Sequence, residues 1–146
     1  MPALVGYRAD GHIPCVIRDA LPTDRAYIDQ TFARSFRDSP TVRGAEPHAW
    51  QAEVQRMVPA WQSEGARVVV FAADEDPDAI LGWAVGTSEV LHYVYVRHDF
   101  RAGGVAKQLV AELGAPRCYS LKPANPRVRV PAGWRFTPRL TMGAHR

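Results

Sequence analysis

One continuous stretch, Leu91 to Gly114, constrains the fold of this chain more than any other. Its first part, Leu91 to Val96, is apolar and rich in Val and Tyr, which is typical of a β-strand. A short polar turn follows and ends in the pair Gly103-Gly104, after which apolar residues recur at helical spacing from Val105 to Leu113. The stretch therefore predicts a strand, a glycine-rich turn and a helix in direct succession.

The predicted junction has the chemistry of an anion-binding site. The first N–H groups of a helix have no acceptor within the helix, and the helix dipole is positive at that end. Arg101 precedes the glycine pair and carries a guanidinium that can hold a phosphate through two parallel hydrogen bonds. A glycine pair before a helix also occurs in turns that bind nothing, so the residues around it must decide between the two readings.

Those surrounding residues resemble the coenzyme A-binding motif of the GNAT acyltransferases. The run Arg101-Ala102-Gly103-Gly104-Val105-Ala106 fits the family signature of Gln or Arg, two variable residues, Gly, a variable residue, and Gly or Ala. Leu91, Val94 and Val96 fit the pattern of the strand that precedes this turn in the family. The third glycine of a Rossmann dinucleotide fingerprint and its downstream acidic residue are absent.

The resemblance implies an α/β domain with a mixed, mainly antiparallel sheet flanked by helices, here with a truncated C-terminal part. It implies an N-acetyltransferase in which a primary amine attacks the thioester of acetyl-CoA, the cosubstrate, directly and without a metal. The cofactor-binding residues implied by the motif are the strand residues Val94, Tyr95 and Val96, for the pantetheine arm, and Arg101, Ala102, Gly103, Gly104, Val105, Ala106 and Lys107, for the diphosphate.

His92 is the candidate general base. Its ordinary pKa of about 6.5 suits proton removal at neutral pH, and alternation along a regular strand predicts that it shares a face with Val94 and Val96. The stretch resembles the strand of arylalkylamine N-acetyltransferases, in which two histidines occur; Val90 stands at the second position here. A hydrogen-bonded structural histidine is the alternative. Glu89 is a second candidate base, or a solvated residue at the strand start.

Tyr119 is the candidate acid that protonates the leaving thiolate. The family commonly places a tyrosine on a fourth helix, but four prolines between Lys122 and Arg146 leave no room for a helix of useful length. Tyr119 on the next predicted strand would substitute, with Tyr93 and Tyr95 as alternatives, and each fits a packing role as well. The two histidines of this region, at positions 92 and 98, do not have the spacing of a metal site.

The remaining chain fits the same fold. Apolar and capping patterns predict a strand at Cys15–Arg18, followed by a helix with the apolar stripe Ile28, Phe32 and Phe36. A second helix begins at about His48, and Pro59 kinks or ends it. Further strands are predicted at Arg67–Ala73, at Ala79–Gly86 and at Arg117–Leu121, the last of them parallel to the strand before it. By the resemblance, the loop from Asp38 to Trp50 shapes the acceptor pocket. Trp50 either lines that pocket or lies in the core.

Bulk properties favour one domain, residues 1–146, whose segment 122–146 is irregular, proline-rich and basic. No apolar run is long enough to span a bilayer, and the first residues do not read as a secretory signal, so we expect neither a membrane partner nor export. Cys15 and Cys118 lie far apart in sequence, which favours free thiols and a cytoplasmic protein.

Charge is distributed unevenly and leaves alternatives open. Residues 1–112 carry all 15 acidic residues against 11 Lys and Arg, whereas residues 113–146 carry 7 Lys and Arg and no acid. We favour the interpretation that the basic C-terminal part forms a surface that helps to hold a polyanionic cofactor. Contact with nucleic acid is the alternative explanation of this charge. The expected partner is a small-molecule or peptide amine. A non-catalytic interaction module of the same fold is the other alternative, and a homodimer is compatible with each reading.

Overall fold

The fold is built on one sheet of seven strands, which follow one another across the sheet in sequence order. A computed structural model of the chain describes residues 3–6, 12–37, 44, 46–76, 78–101, 103–123 and 130–138. The strands are β1 (Ala3–Gly6), β2 (His12–Asp19), β3 (Arg67–Ala73), β4 (Ile80–Gly86), β5 (Val90–Val96), β6 (Cys118–Tyr119) and β7 (Arg135–Phe136). Strands β1 to β5 pair antiparallel, whereas β6 pairs parallel with β5, and β7 parallel with β6.

Three α-helices cover the two faces of the sheet in the described part of the chain: α1 (Arg25–Phe36), α2 (Pro47–Ser63) and α3 (Val105–Glu112). A short 3-10 helix, Pro22–Asp24, leads into α1. Its Asp24 accepts hydrogen bonds from the backbone N–H of Leu21 and from Arg18, which fixes the entry of the chain into the helix. The Glu46 carboxylate accepts a hydrogen bond from the N–H of Ala49 and caps α2.

Two hydrophobic clusters hold the helices on the sheet. Helices α1 and α2 pack on one face, where Ile28, Phe32 and Trp61 contact the side chains of β3 and β4 that point to that side. Helix α3 packs on the other face, where Leu109 and Val105 contact the alternate residues of the same strands. Because β3 and β4 are buried on both faces, their sequences are continuously apolar rather than alternating.

The structure confirms the predicted fold class and the order of its elements. Of the two predicted effects of Pro59, ending the helix is excluded, since α2 continues to Ser63. The first described residues form a short edge strand, β1. Within the described residues, none of the helices has both the length and the apolar character needed to cross a membrane. Both cysteines are free thiols, as expected.

Candidate active site

The candidate site is the gap that opens where β5 and β6 diverge. The two strands are in register at only two pairs of residues, Val90 with Cys118 and Leu91 with Tyr119. A last hydrogen bond, from the N–H of Ser120 to the carbonyl of Leu91, closes this short ladder. Beyond Leu91, the edge of β5 that faces β6 has no strand partner among the described residues.

The backbone groups of Val94 and Val96 point toward this open edge. The N–H of Arg97 donates to the carbonyl of Leu81 in β4, so the backbone of Arg97 points toward β4. Backbone groups of consecutive strand residues point to opposite sides, and the register from Tyr93 to Val96 against β4 is regular. Tyr95 is therefore paired with β4, while Val94 and Val96 present their N–H groups to the gap.

A β-bulge interrupts β5 just before this edge. The register with β4 shifts between Val85 and Gly86, so that Val85 pairs with Tyr93 while Gly86 pairs with Leu91, and His92 is the extra residue. His92 and Tyr93 consequently lie on the same face of the sheet, against α1 and α2. The expectation that His92 shares a face with Val94 and Val96 is wrong, because both valines pack on the α3 side.

The beginning of α3 lies at the same end of the sheet as the open edge of β5. Val96 pairs with Gly82 of β4, and a Cβ atom placed on Gly82 would lie 3.2 Å from Cγ1 of Val105 and 2.7 Å from the carbonyl oxygen of Tyr95. Only a glycine at position 82 lets the first turn of α3 approach the strand this closely. The sequence thus brings the amides of the first helical turn next to the end of β5.

Gly104 is the N-cap of α3 and adopts a left-handed conformation, with φ at +83°. The first backbone hydrogen bond of the helix runs from the N–H of Gln108 to the carbonyl of Gly104. The amides of Gly104, Val105, Ala106 and Lys107 are consequently the four that have no acceptor within the helix. This is the arrangement that the glycine pair predicts, with Gly103 half-buried beside it.

Arg101 lies at the end of β5. Its Nε donates to the carbonyl oxygen of Val96 at 2.9 Å, while the side chain remains exposed. This bond uses only Nε, and the guanidinium carries two further NH₂ groups. Ala102, the other residue that the motif places in this turn, lies outside the described residues.

His92 is buried in an aromatic and hydroxyl environment. Its imidazole is 6% exposed, stacks on the Trp61 indole, and has Nδ1 at 2.6 Å from Oγ of Ser120. Burial lowers the pKa of His92 from 6.5 to about 4, since the charged imidazolium would lose its hydration. The ring is therefore neutral at physiological pH, but it binds a proton more weakly than the unperturbed side chain considered as a base above.

Tyr119 does not approach His92. It pairs with Leu91, whose side chain packs on the α3 face, and residues paired across neighbouring strands point to the same face. Tyr119 stacks on Phe136 of β7 on that face, with ring centroids 5.2 Å apart. The two candidate catalytic residues thus lie on opposite faces of the sheet.

Tyr93 and Tyr95 lie on the α1 side of the gap. The Tyr93 hydroxyl and Oγ of Ser35 in α1 are 2.7 Å apart, and burial raises the pKa of Tyr93. Tyr95 stacks on Trp83, with 6.3 Å between the ring centroids. Both phenols are half-buried and pack against the hydrophobic cluster on the α1 and α2 side of the sheet.

The remaining polar and thiol side chains around β5 are exposed or half-buried. Glu89 precedes β5 and is exposed, and His98 and Asp99 form an exposed 3-10 turn after the strand. Cys118 is a half-buried free thiol on β6. No group of three or more potential metal ligands occurs among the residues that the structure describes.

Ser120, Trp61 and Ser35 are contacts of the candidate site that the sequence did not indicate. Ser120 lies 28 residues from His92, and Ser35 lies 58 residues from Tyr93. An isolated serine carries no motif, and Trp61 fits the apolar stripe of α2 as an ordinary core residue. These contacts depend on the face of the sheet to which each strand residue points. For His92, the bulge in β5 determines that face.

Comparison with solved structures finds similar folds. A possible acetyltransferase from Clostridium difficile 630 matches with a TM-score of 0.50 and 14% identity over 67% of this chain and 67% of that chain. The apo form of YjaB from Escherichia coli matches with a TM-score of 0.51 and 18% identity over 68% of this chain and 63% of that chain. For a GNAT-family acetyltransferase from Staphylococcus aureus Mu50, the TM-score is 0.49 and the identity 10%, over 68% of this chain and 62% of that chain.

At these identities, the likeness concerns the fold alone, and the first two structures confirm the mixed α/β architecture that the strand–turn–helix motif implies. The chain spans less than two thirds of the length of two of these three structures. No protein-family model and no curated protein sequence matches the chain.

Proposed function

We propose that this chain is an acyl-CoA-dependent N-acyltransferase that transfers the acetyl group of acetyl-CoA to a primary amine. The observation that carries the proposal is the divergence of β5 from β6, which leaves the backbone N–H groups of Val94 and Val96 on an open edge. A pantetheine arm is an extended chain of amides, so it can add to such an edge as a further strand does.

The start of α3 supplies the second half of the cofactor site. The four amides that have no acceptor within the helix lie beside the end of β5, where the diphosphate of coenzyme A would follow the pantetheine arm. Arg101 adds a positive charge at the same end of the strand. The open strand edge would thus bind the amides of the pantetheine arm, and the start of α3 would bind the diphosphate. The two parts of the site follow each other in the same order as these groups in the cofactor.

The reaction is a direct transfer. The amine nitrogen attacks the thioester carbonyl carbon, a C–N bond forms, the C–S bond breaks, and the amine loses a proton while the coenzyme A thiolate gains one. A backbone N–H on the open edge would stabilise the oxyanion that develops at the carbonyl oxygen. His92 stays our candidate base, with Ser120 bonded to Nδ1, and Tyr119 stays a candidate acid although it lies on the other face of the sheet.

Calorimetry with acetyl-CoA, followed by a thiol-release assay with amine acceptors, tests the proposal. We expect micromolar binding and release of free coenzyme A only when an amine is present. Binding without release for any amine would favour a non-catalytic module of the same fold. The burial of His92 and the separation of Tyr119 from it are the observations that favour this second candidate. No binding of acetyl-CoA would overturn the proposed transferase and would also favour the non-catalytic module.

A further inference from the structure

The hydrogen bond between His92 and Ser120 joins β5 to the chain after β6 at the closed end of the gap. The last backbone bond between the two strands runs from the N–H of Ser120 to the carbonyl of Leu91, and beyond it the strands separate. On the α1 and α2 face at this level, Oγ of Ser120 lies 2.6 Å from Nδ1 of His92. The pair therefore stands at the point from which the gap opens.

This closed end of the gap is filled by side chains. Ser120 is 1% exposed and His92 is 6% exposed, and the Trp61 indole covers one face of the imidazole. On the other face of the sheet, Leu91 is buried and packs on the α3 side. A group that enters the gap along β5 consequently meets buried side chains at its end.

The order of the two parts of the proposed cofactor site determines which group of the cofactor comes to this end. The diphosphate would bind at the start of α3, beside Val96, so the pantetheine arm would run back along β5 from Val96 toward His92. The arm has about a dozen bonds between the diphosphate and the sulfur, and it spans about 14 Å when extended at roughly 1.2 Å per bond. The strand from His92 to Val96 spans about 13 Å at roughly 3.3 Å per residue. The thioester would thus reach the level of the His92–Ser120 pair.

We propose that the His92–Ser120 pair is the end wall of the acyl site and that it restricts the donor to acetyl-CoA, excluding butyryl and longer acyl groups. This inference rests on the proposed N-acyltransferase function. An acetyl group ends one carbon beyond the thioester carbonyl, so it fits in front of the pair. A butyryl group carries two more carbons, which would have to displace side chains from a close-packed site.

Ser120 is the member of the pair whose size can be reduced in steps. Its side chain has two heavy atoms, Cβ and Oγ, and a butyryl group exceeds an acetyl group by the same number. Ser120→Ala removes only the hydroxyl, whereas Ser120→Gly removes both atoms. Neither substitution changes the open edge at Val94 and Val96 or the start of α3, which would hold the arm and the diphosphate.

The first test measures binding alone, by calorimetry with coenzyme A, acetyl-CoA and butyryl-CoA. We expect the native protein to bind butyryl-CoA at least tenfold more weakly than acetyl-CoA. This ratio should fall severalfold in Ser120→Ala and approach one in Ser120→Gly, while the affinity for coenzyme A itself should stay within a few fold of the native value. Thermal melting checks that each variant is folded, and Ser120→Ala still tests the wall if the glycine variant does not fold.

Ser35→Ala is the matched control. The hydroxyl of Ser35 is also hydrogen-bonded to a side chain of β5, that of Tyr93, at 2.7 Å, but Ser35 belongs to α1 and does not lie between β5 and β6. This variant should keep the native ratio. Equal affinity of the native protein for acetyl-CoA and butyryl-CoA would overturn the inference. An unchanged ratio in the folded Ser120 variants, or the same change in Ser35→Ala, would also overturn it.

The thiol-release assay separates this inference from the proposed function. We expect kcat/KM for butyryl-CoA to be at least tenfold below that for acetyl-CoA in the native protein. Equal kcat/KM for the two donors would overturn the end wall and leave the transferase intact. Binding that depends on acyl length and on Ser120, without release of thiol for any amine, would overturn the transferase while the acyl site remained. If neither coenzyme A nor its two thioesters bound, both the proposed function and the end wall would be wrong.

Discussion

The imidazole of His92 lies flat against the indole of Trp61, with ring centroids 4.5 Å apart and planes 2° from parallel. At the edge of the ring, Nδ1 is hydrogen-bonded to the hydroxyl of Ser120. An imidazole in this position is enclosed by α2 on one side and by the sheet on the other. The contact explains both the burial of His92 and its low pKa, and it depends on the β-bulge that turns the side chain toward α2.

The stability of the protein should depend on pH through His92. Its pKa is about 4 in the folded protein against 6.5 in the unfolded chain, so between these values the unfolded chain binds more protons. The free energy of unfolding should fall by up to about 3 kcal/mol as pH drops from 6.5 to 4. Above pH 6.5, the contribution of the neutral ring is fully present.

Chemical denaturation of the native protein and of His92→Gln across this pH window measures the effect. The variant should lose most of the slope, because glutamine does not titrate. Asp24 does not interfere, since its bond with Arg18 lowers its pKa below the ordinary 3.8 and its stabilisation is lost only at more acidic pH. Parallel slopes for the two proteins would contradict the assigned burial of a neutral imidazole.

The pH dependence of acyl transfer should not show an ionisation of His92 near neutrality. The neutral form of the ring already dominates at pH 6, so kcat/KM should instead rise with deprotonation of the acceptor amine. His92→Gln should reduce kcat without shifting the midpoint of this rise. A limb near pH 6.5 that disappears in the variant would show that the imidazole is solvated during turnover, contrary to the observed stacking on Trp61.

The strand, the glycine turn and α3 could be predicted from the sequence because each is a local pattern. Val94 to Val96 and Gly103-Gly104 lie close together in the chain, and their roles follow from strand and helix-start chemistry that needs no distant contact. The antiparallel order of β3, β4 and β5 was predictable for the same reason, since short turns join them.

The orientation of His92 was not predictable, because strict alternation assumes a strand without bulges. The register shift occurs at Gly86, whose missing Cβ lets the carbonyl of Val90 approach, and a glycine in a strand does not show by itself that a bulge occurs there. Tyr119 fell on the unexpected face because its side is set by the pairing with Leu91.

Gly86→Ala should disturb the bulge and the site together. A Cβ atom at this position would lie 2.5 Å from the carbonyl oxygen of Val90 and 3.1 Å from Cα of Leu91, so the backbone of β5 must move. We expect the free energy of unfolding to fall by about 1–3 kcal/mol, as for other overpacked cores. The NMR signal of the His92 imidazole should shift, because its contacts with Trp61 and Ser120 change.

Gly82→Ala provides the comparison for this variant. A Cβ atom there presses on the carbonyl of Tyr95 and on Val105 instead, away from the bulge. It should destabilise the protein to a similar extent while leaving the His92 signal in place. If Gly86→Ala left the signal unchanged as well, the bulge would not be what positions the imidazole.

Gly104→Glu should weaken binding of acetyl-CoA at least tenfold, a loss of about 1.4 kcal/mol in binding free energy. Gly104 has φ at +83° and only Gln108 near its missing Cβ, so a side chain there finds space but is strained by about 1–2 kcal/mol. Gly65→Glu carries the same charge and a similar strain, with φ at +101°, in the turn before β3. It should therefore lose stability without losing affinity.

Gly104→Ala adds the strain without the charge and should bind acetyl-CoA within a few fold of the native protein. Calorimetry on the three variants separates these terms, and native affinity in Gly104→Glu would show that the amides at the start of α3 do not hold the diphosphate.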